Sequence, residues 1–481
     1  MIQFLLNQTL VSEAHIDPNP TILNYLRRNH RRSGTKEGCA SGDCGACTVT
    51  LGRVDAGRMI YETVNSCMTF VSALQGKQLI TVEDLQENGS LHAVQQAMVD
   101  CHASQCGFCT PGFVMSLFTL QKNASGWQPA QAEQALAGNL CRCTGYRPIV
   151  DAARQACEQQ KEDSFSRQQA ATVRRLDALK NCPDRVIGTR GLRCLMPETP
   201  EQLAELYLLN PGACLLAGGT DLALQVTQQG KTLPLMIALD QIEELKRCYQ
   251  QGNELVLGAG ASLSRCHEML ATRIPAFARL LERFASLQIR NQGTLGGNIA
   301  NASPVGDMPP LLLALDALLV LQRGDRTRRL PLCEFFLSYR KTALEKGEFI
   351  RAVVIPDLTE SQNSRAWKVS KRAEDDISAV LGAFLIETDE AGIVRRARLA
   401  YGGMAEIPKR AVRCEQLITG KALTPETVAL VCAAIEQEFV PLSDFRASAR
   451  YRLLVAKNLL RRYYASLTGE LNLLEVSDYV P

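Results

Sequence analysis

The 481-residue sequence has no long apolar run and no excess of charge of either sign. Its longest apolar stretch, 309–321, carries Asp316 and falls short of the roughly 18 uninterrupted residues that a membrane span requires. Lys plus Arg number 53 against 50 Asp plus Glu, and a formal charge of +3 gives no support to nucleic-acid or membrane-surface binding through bulk charge. The first ten residues lack the basic start, apolar run and small-residue cleavage site of a secretory signal, so a cytoplasmic protein is expected. Neither G-x-G-x-x-G nor G-x-x-x-x-G-K-[ST] occurs, which removes the two familiar phosphate-loop fingerprints. No repeat of solenoid period is present.

Cysteine, by contrast, is abundant. Eighteen of them in a chain expected to sit in a reducing compartment point to metal rather than to disulfides. Cys39, Cys44 and Cys47 form C-x4-C-x2-C, and Cys67 follows. This is the plant-type [2Fe–2S] spacing, in which a loop bends around three thiolates and a fourth arrives from a distant strand. Gly38, Gly42 and Gly45 supply the tight backbone. Zinc prefers paired C-x2-C knuckles, which this spacing is not. Cys106 and Cys109 form C-x2-C, and Cys141 and Cys143 a later C-x-C. Alone, that second set would also suit zinc; beside a plant-type motif it reads as a second iron–sulfur site. The other ten, Cys101, Cys157, Cys182, Cys194, Cys214, Cys248, Cys266, Cys333, Cys414 and Cys432, are scattered singly and read as small core or surface residues.

Around these motifs the chain changes period. Residues 1–79 read as short strands (2–6, 48–51) with one helical stretch, 21–28. Residues 80–158 read as helices. Apolar residues at 91, 94, 98 and 99 share a face; Thr110 and Pro111 look like the N-cap and first turn of a helix over 113–120; two more helices are expected at 130–137 and 149–157. A polar stretch, 159–186, reads as a linker or an exposed helix. Alternating strand-like and helix-like segments fill 187–360. Residues 365–470 form a further region, with strands around 378–386 and 395–401 and amphipathic helices across 424–467.

The runs CASGDCGAC, QCGFCTPG and CRCTGYRPI resemble the iron–sulfur portion of the molybdenum hydroxylases, the xanthine dehydrogenase and aldehyde oxidase family. LLAGGTDL, RNQGTLGGNIANASPVGD, FFLSYRKT, KRAEDDIS and YGGMAE are similar to that family's flavin region, so most of the chain is covered. The resemblance implies a multidomain α+β chain: a β-grasp ferredoxin-like domain, a small helical-bundle iron–sulfur domain, an α/β FAD-binding domain and a C-terminal α+β domain. It implies two [2Fe–2S] clusters, held by Cys39, Cys44, Cys47 and Cys67 and by Cys106, Cys109, Cys141 and Cys143. Because the chain ends at Pro481, the resemblance is to a small iron–sulfur and flavin subunit, and a molybdopterin-binding large subunit is the expected partner, in a dimer of heterodimers.

A flavin pyrophosphate can be held by glycine-rich turns whose successive N–H groups form an anion nest, and two segments have that composition. The resemblance places Leu215, Leu216, Ala217, Gly218, Gly219, Thr220, Asp221 and Leu222 at the first, and Thr294, Leu295, Gly296, Gly297 and Asn298 at the second. Phe284, Asp307, Ile350 and Lys368 match further FAD positions, and a bulky residue at Gly297 is expected to cost flavin. The implied activity is xanthine or hypoxanthine oxidation in purine catabolism: the partner hydroxylates the purine, and electrons pass through both clusters to FAD and leave as hydride to NAD. No catalytic acid, base or nucleophile is then expected on this chain. Gln105 is the candidate cross-subunit contact. Tyr339 and the run Glu374, Asp375, Asp376 are candidates for the NAD cleft. Two alternatives remain open, another molybdenum hydroxylase acting on an aldehyde or N-heterocycle and a stand-alone ferredoxin–flavoprotein module.

Overall fold

The computed structural model describes residues 1–159, 162–181 and 185–469. Cys182 and residue 470, the end of the last expected region, lie outside the described residues. The chain packs as two units: Met1–Leu203, Asn210–Glu243 and Ser286–Gly293 form one, and Ala204–Leu209, Glu244–Ala285 and the described part of Thr294–Pro481 form the other. The stretch 187–360, expected as one flavin domain, thus contributes to both.

The first unit begins with a five-stranded sheet in the order Thr9–Glu13, Ile2–Leu6, Gln78–Ile80, Thr48–Asp55, Arg58–Asn65. Ile2–Leu6 runs parallel to Gln78–Ile80 and the other pairs are antiparallel. The helix Ile22–Asn29 buries Ile22, Leu23, Tyr25 and Leu26, an i, i+3, i+4 stripe, in the core beneath this sheet. Its N-cap, Thr21, accepts from the Asn24 N–H at 3.4 Å, a contact worth about 1 kcal/mol.

Four helices follow, Ala93–Asp100, Thr110–Asn123, Pro129–Leu136 and Arg147–Glu158. Thr110 is not the N-cap: it is already helical, and Cys109 occupies the cap position without a side-chain bond. Pro111 stands in the first turn, where its missing N–H costs nothing.

The polar stretch, expected as a linker or an exposed helix, carries a helix, Ser164–Ala178, most of whose residues are exposed. Phe165 and Leu176 are buried in the core of the four helices, and burying a Phe contributes about 2 kcal/mol. The helix starts at Asp163, which accepts from the Ser166 N–H at 2.8 Å and pairs with His92 at 2.9 Å and Lys122 at 2.5 Å. The run of polar residues left helix and linker undecided in the sequence, because the apolar positions are few and widely spaced.

The same unit holds a four-stranded sheet in the order Val186–Thr189, Leu192–Leu195, Leu235–Ala238, Cys214–Leu216, whose last two pairings are parallel. The helix Leu287–Gln292, capped by Ser286, also belongs here.

The second unit contains a five-stranded antiparallel sheet, Cys248–Gln251, Glu254–Gly258, Phe349–Pro356, Leu318–Arg323, Arg326–Pro331, covered by helices that include Leu263–Leu270 and Met308–Ala314. A second sheet, Gln362–Val369, Val380–Thr388, Val394–Gly402, Lys409–Arg410, packs Trp367, Phe384 and Tyr401 against the helices Pro425–Glu438 and Ala449–Thr468. Among the described residues no helix is long and apolar enough to cross a membrane.

Candidate functional site

Three of the first four cysteines sit on the loop between the helix Ile22–Asn29 and the strand Thr48–Asp55; Cys67 follows the strand Arg58–Asn65. The loop coils through left-handed positions at Ala40, Gly42 and Gly45, with φ of 51°, 83° and 66°. That coil turns the N–H groups of Ser41 and Asp43 onto the Cys39 sulfur at 3.4 and 3.3 Å. Thiol hydrogen bonds from Cys44 and Cys67 hold the Cys39 pKa far below its ordinary value, and the Cys67 thiol holds Cys47 down against burial. Cys44 and Cys67 are pushed up correspondingly, Cys44 by its bond to Cys39 and Cys67 because its one proton faces both Cys39 and Cys47. Asn65 ties the set together, accepting from the Cys47 thiol at 3.7 Å and donating to the Gly42 carbonyl at 3.0 Å.

The second set precedes two helices. Cys109 lies at the start of Thr110–Asn123, and Cys141 and Cys143 lie just before Arg147–Glu158. Burial and the Cys141 hydrogen bond push the Cys109 thiol up to about 12. Burial would raise Cys141 too, but the Thr144 hydroxyl, 3.2 Å from the sulfur, and neighbouring backbone N–H groups bring it down to about 7. Cys106 and Cys143 interact and are exposed, and their hydrogen bond raises Cys143. The exposed Gln105 donates to the Cys143 carbonyl at 3.1 Å.

Among the described residues no three His, Cys, Asp or Glu side chains close on a single metal-ion position. The thiols meet one another instead, and four thiols to a set is the donor chemistry of a [2Fe–2S] group, two for each iron.

In the first unit, Leu215 and Leu216 end the strand Cys214–Leu216, and the chain turns through Ala217, Gly218, Gly219, Thr220 and Asp221 into the helix Leu222–Thr227. Gly218 allows close approach: a Cβ there would stand 1.9 Å from the Gln292 carbonyl oxygen. Gly219 is left-handed at φ 75°. Among the described residues, no acceptor meets the N–H groups of Gly219, Thr220 and Asp221, as an anion nest requires.

The second glycine run, in the other unit, is not an open turn. Thr294 caps the helix Leu295–Ala300 through the Gly297 N–H at 3.1 Å. The Leu295 and Gly296 N–H groups donate to the Ala261 and Ala259 carbonyls, and that of Asn298 to Thr294. Its donors are therefore spent within the protein, and the expectation of a second nest is corrected. What this run does leave over is Asn298 Oδ1, buried without a partner. Gly297 is exposed and a Cβ there would meet only the Thr294 hydroxyl, so a bulky residue would disturb the cap.

Also in the second unit, Lys368 and Asp307 form a buried ion pair at 2.6 Å, each side chain 3% exposed. Ser378 donates to the other Asp307 oxygen at 2.5 Å, and the Phe284 ring lies 5.9 Å from the Lys368 ammonium. Two buried charges are costly unless paired and further bonded, and this pair is both. Ser378 was visible in sequence only as the last residue of KRAEDDIS. Ile350 is buried on the strand Phe349–Pro356, in the hydrophobic cluster against which Phe284 packs.

Tyr339 is 57% exposed, with the Arg340 guanidinium 5.9 Å from its ring centroid. Asp376 accepts from the Arg372 and Ile377 N–H groups, which outweigh burial and lower its pKa. Of the cysteines read as solitary, Cys248 and Cys266 share a hydrogen bond.

Four families match the chain in order: "2Fe-2S iron-sulfur cluster binding domain" over residues 8–72, "[2Fe-2S] binding domain" over 81–154, "FAD binding domain in molybdopterin dehydrogenase" over 190–358 and "CO dehydrogenase flavoprotein C-terminal domain" over 365–467. A xanthine dehydrogenase of Emericella nidulans is 32% identical over 98% of this chain and 39% of its own length. Aldehyde oxidase 1 of Macaca fascicularis is 31% identical over 96% of this chain and 39% of its own length. The chain thus spans about two fifths of these relatives. A carbon monoxide dehydrogenase from Hydrogenophaga pseudoflava matches in structure with a TM-score of 0.54 and 27% identity, over 57% of this chain and 96% of that one.

Proposed function

Because the chain belongs to the molybdenum hydroxylase family, we propose that it is the iron–sulfur and FAD electron-transfer subunit of a xanthine dehydrogenase, serving hypoxanthine and xanthine oxidation in purine catabolism. The observation that carries this reading is the co-occurrence, on one chain, of two all-thiol sets and a turn with free N–H groups, aligned over 98% of its length with a xanthine dehydrogenase.

When bound, the two [2Fe–2S] groups supply one-electron steps and FAD joins them to two-electron hydride chemistry. The chain's residues prepare for this. Ser41 and Asp43 point N–H groups at the Cys39 sulfur and Thr144 points its hydroxyl at Cys141, so a negative cluster meets donors already in place. The free N–H groups from Gly219 to Asp221 would hold the FAD pyrophosphate. In the second unit, Asp307 holds the Lys368 ammonium at one place.

The molybdopterin-binding partner would dock where Cys106 and Cys143 are exposed. Phe108, Leu140 and Tyr146, each 41–48% exposed, add apolar surface beside them, and Gln105 stands at that face. NAD is the proposed acceptor, at a cleft rimmed by Tyr339 and residues 374–376, and the assembly a cytoplasmic dimer of heterodimers. The aldehyde oxidase and carbon monoxide dehydrogenase relatives favour one second reading, the same relay for another substrate.

Co-expression with a molybdopterin-binding subunit tests the proposal. Xanthine turnover that requires NAD, with a raised KM for NAD in Tyr339→Ala, is expected. Turnover of an aldehyde alone would move the assignment to the second reading, and fast turnover with oxygen but indifferent to NAD would reject the dehydrogenase.

A further inference from the structure

Between the two thiol sets lies a buried polar junction that neither cysteine motif includes. Gln288, 0% exposed, sits on the helix Leu287–Gln292, far in sequence from either set. Its amide nitrogen lies 3.0 Å from Asn139 Oδ1, 3.3 Å from the Thr48 hydroxyl and 3.4 Å from the Ser116 hydroxyl. Asn139, Thr48 and Ser116 are themselves at most 2% exposed. Asn139 in turn donates to the Gly45 carbonyl at 3.0 Å, and Ser116 donates to Asn139 at 2.7 Å.

This junction grips both sets. Gly45 follows Cys44, and Asn139 stands two residues before Cys141. Immediately beside it the Leu140 N–H donates to the Cys44 carbonyl at 3.0 Å, joining a residue of one set to the neighbour of a residue of the other through one hydrogen bond. The backbones are as close as they can come: a Cβ on Gly112, three residues past Cys109, would lie 2.3 Å from the Gly45 carbonyl oxygen. Meanwhile Gln288 Oε1 is buried with no partner. A buried acceptor left unpaired costs stability, so stability alone does not account for a glutamine here, where an apolar residue of similar size would avoid that cost.

We propose that Gln288, acting through Asn139, is a positioning residue that fixes the separation of the two iron–sulfur groups and keeps the Cys141–Leu140 N–H···O=C–Cys44 link formed. This rests on the cluster assignment above. An electron crossing between the groups oxidises one and reduces the other with no proton moved, so its rate depends on that separation and link.

The test uses the holoprotein reduced with dithionite. Wild type, Gln288→Met and Gln288→Glu are compared for iron, sulfide and FAD content and for the low-temperature EPR spectrum, in which two nearby reduced clusters broaden or split each other's signals. Asn291→Ala, which alters the same helix at a bond to Thr63 outside the junction, is the control. Wild type and the control are expected to show the mutual splitting. Gln288→Met is expected to keep iron and FAD but lose most of it, with a several-fold slower approach to redox equilibrium between the clusters. Unchanged splitting in Gln288→Met with both clusters present would overturn the proposal. So would a wild type with two clusters and no splitting, or loss of both clusters in both Gln288 variants, since a positioning residue leaves assembly intact. A wild type lacking iron would instead overturn the cluster assignment.

Discussion

Cys47 and Cys67 are 1% and 2% exposed, whereas Cys106 and Cys143 of the second set lie open to solvent. The difference follows from the scaffolds. The first set is folded into a loop coiled over a β-sheet, and its last cysteine comes off a strand, so the sheet's own core covers Cys47 and Cys67 while Cys39 and Cys44 are half-buried. The second is built from two short segments that precede helices, and a helix bundle leaves such ends at its surface. A buried redox site exchanges electrons within its own chain; an exposed one can meet another protein. The same chemistry, four thiols, is thereby given an inward and an outward version.

Removing one cysteine from each set has the largest expected effect. Cys67→Ser is expected to abolish one EPR signal and about half of the iron, because two iron atoms belong to each cluster. It should also destabilise the sheet region around it, where the thiol is buried. Cys143→Ser should abolish the other signal with little change in the sheet's stability. Loss of both signals in either variant would mean that the sets are not separate sites.

Gly218→Val comes next. A side chain at Gly218 strikes the Gln292 carbonyl, so the turn must shift and FAD content should fall several-fold while both EPR signals persist. Full flavin in this variant would remove the turn from the site.

The smallest effect is expected at the helices that carry the second set. Asp163 is desolvated, but hydrogen bonds from His92, Lys122 and the Ser166 N–H hold its carboxyl well below the usual carboxylate range. A depressed carboxylate stabilises the fold above its unfolded pKa, near 4, and that contribution is lost as pH falls below it. Asp163→Asn should cost about 2 kcal/mol at pH 7 and proportionally less in acid, measured by denaturant unfolding with the first set's EPR signal unchanged. An equal loss at pH 7 and at pH 3 would show that the charge is not the cause.

What the sequence revealed follows from what spacing can encode. Eight cysteines at short, fixed intervals announce themselves, as do the helices around Pro111 and 149–157, whose apolar residues recur with helical period. The glycine runs were ambiguous because Gly-Gly serves two ends. At Gly218 it frees N–H groups and permits a close approach; at Gly296 it lets the helix start pack on Ala259, and Thr294 takes the Gly297 N–H. Gln288 was invisible because a lone glutamine in a polar helix looks solvated, and only the fold brings it to Asn139 and Thr48. Phe165 and Leu176 were masked in the same way by the charged residues around them.

The central claim is that one chain holds an inward and an outward [2Fe–2S] site. Metal analysis of the purified chain together with EPR of its reduced form tests it most directly. The account predicts about four iron atoms per chain and two distinct signals, with a hydrophilic chelator removing the iron of the exposed set first. Zinc in place of iron at either set, or both sets losing iron to the chelator at the same rate, would contradict it.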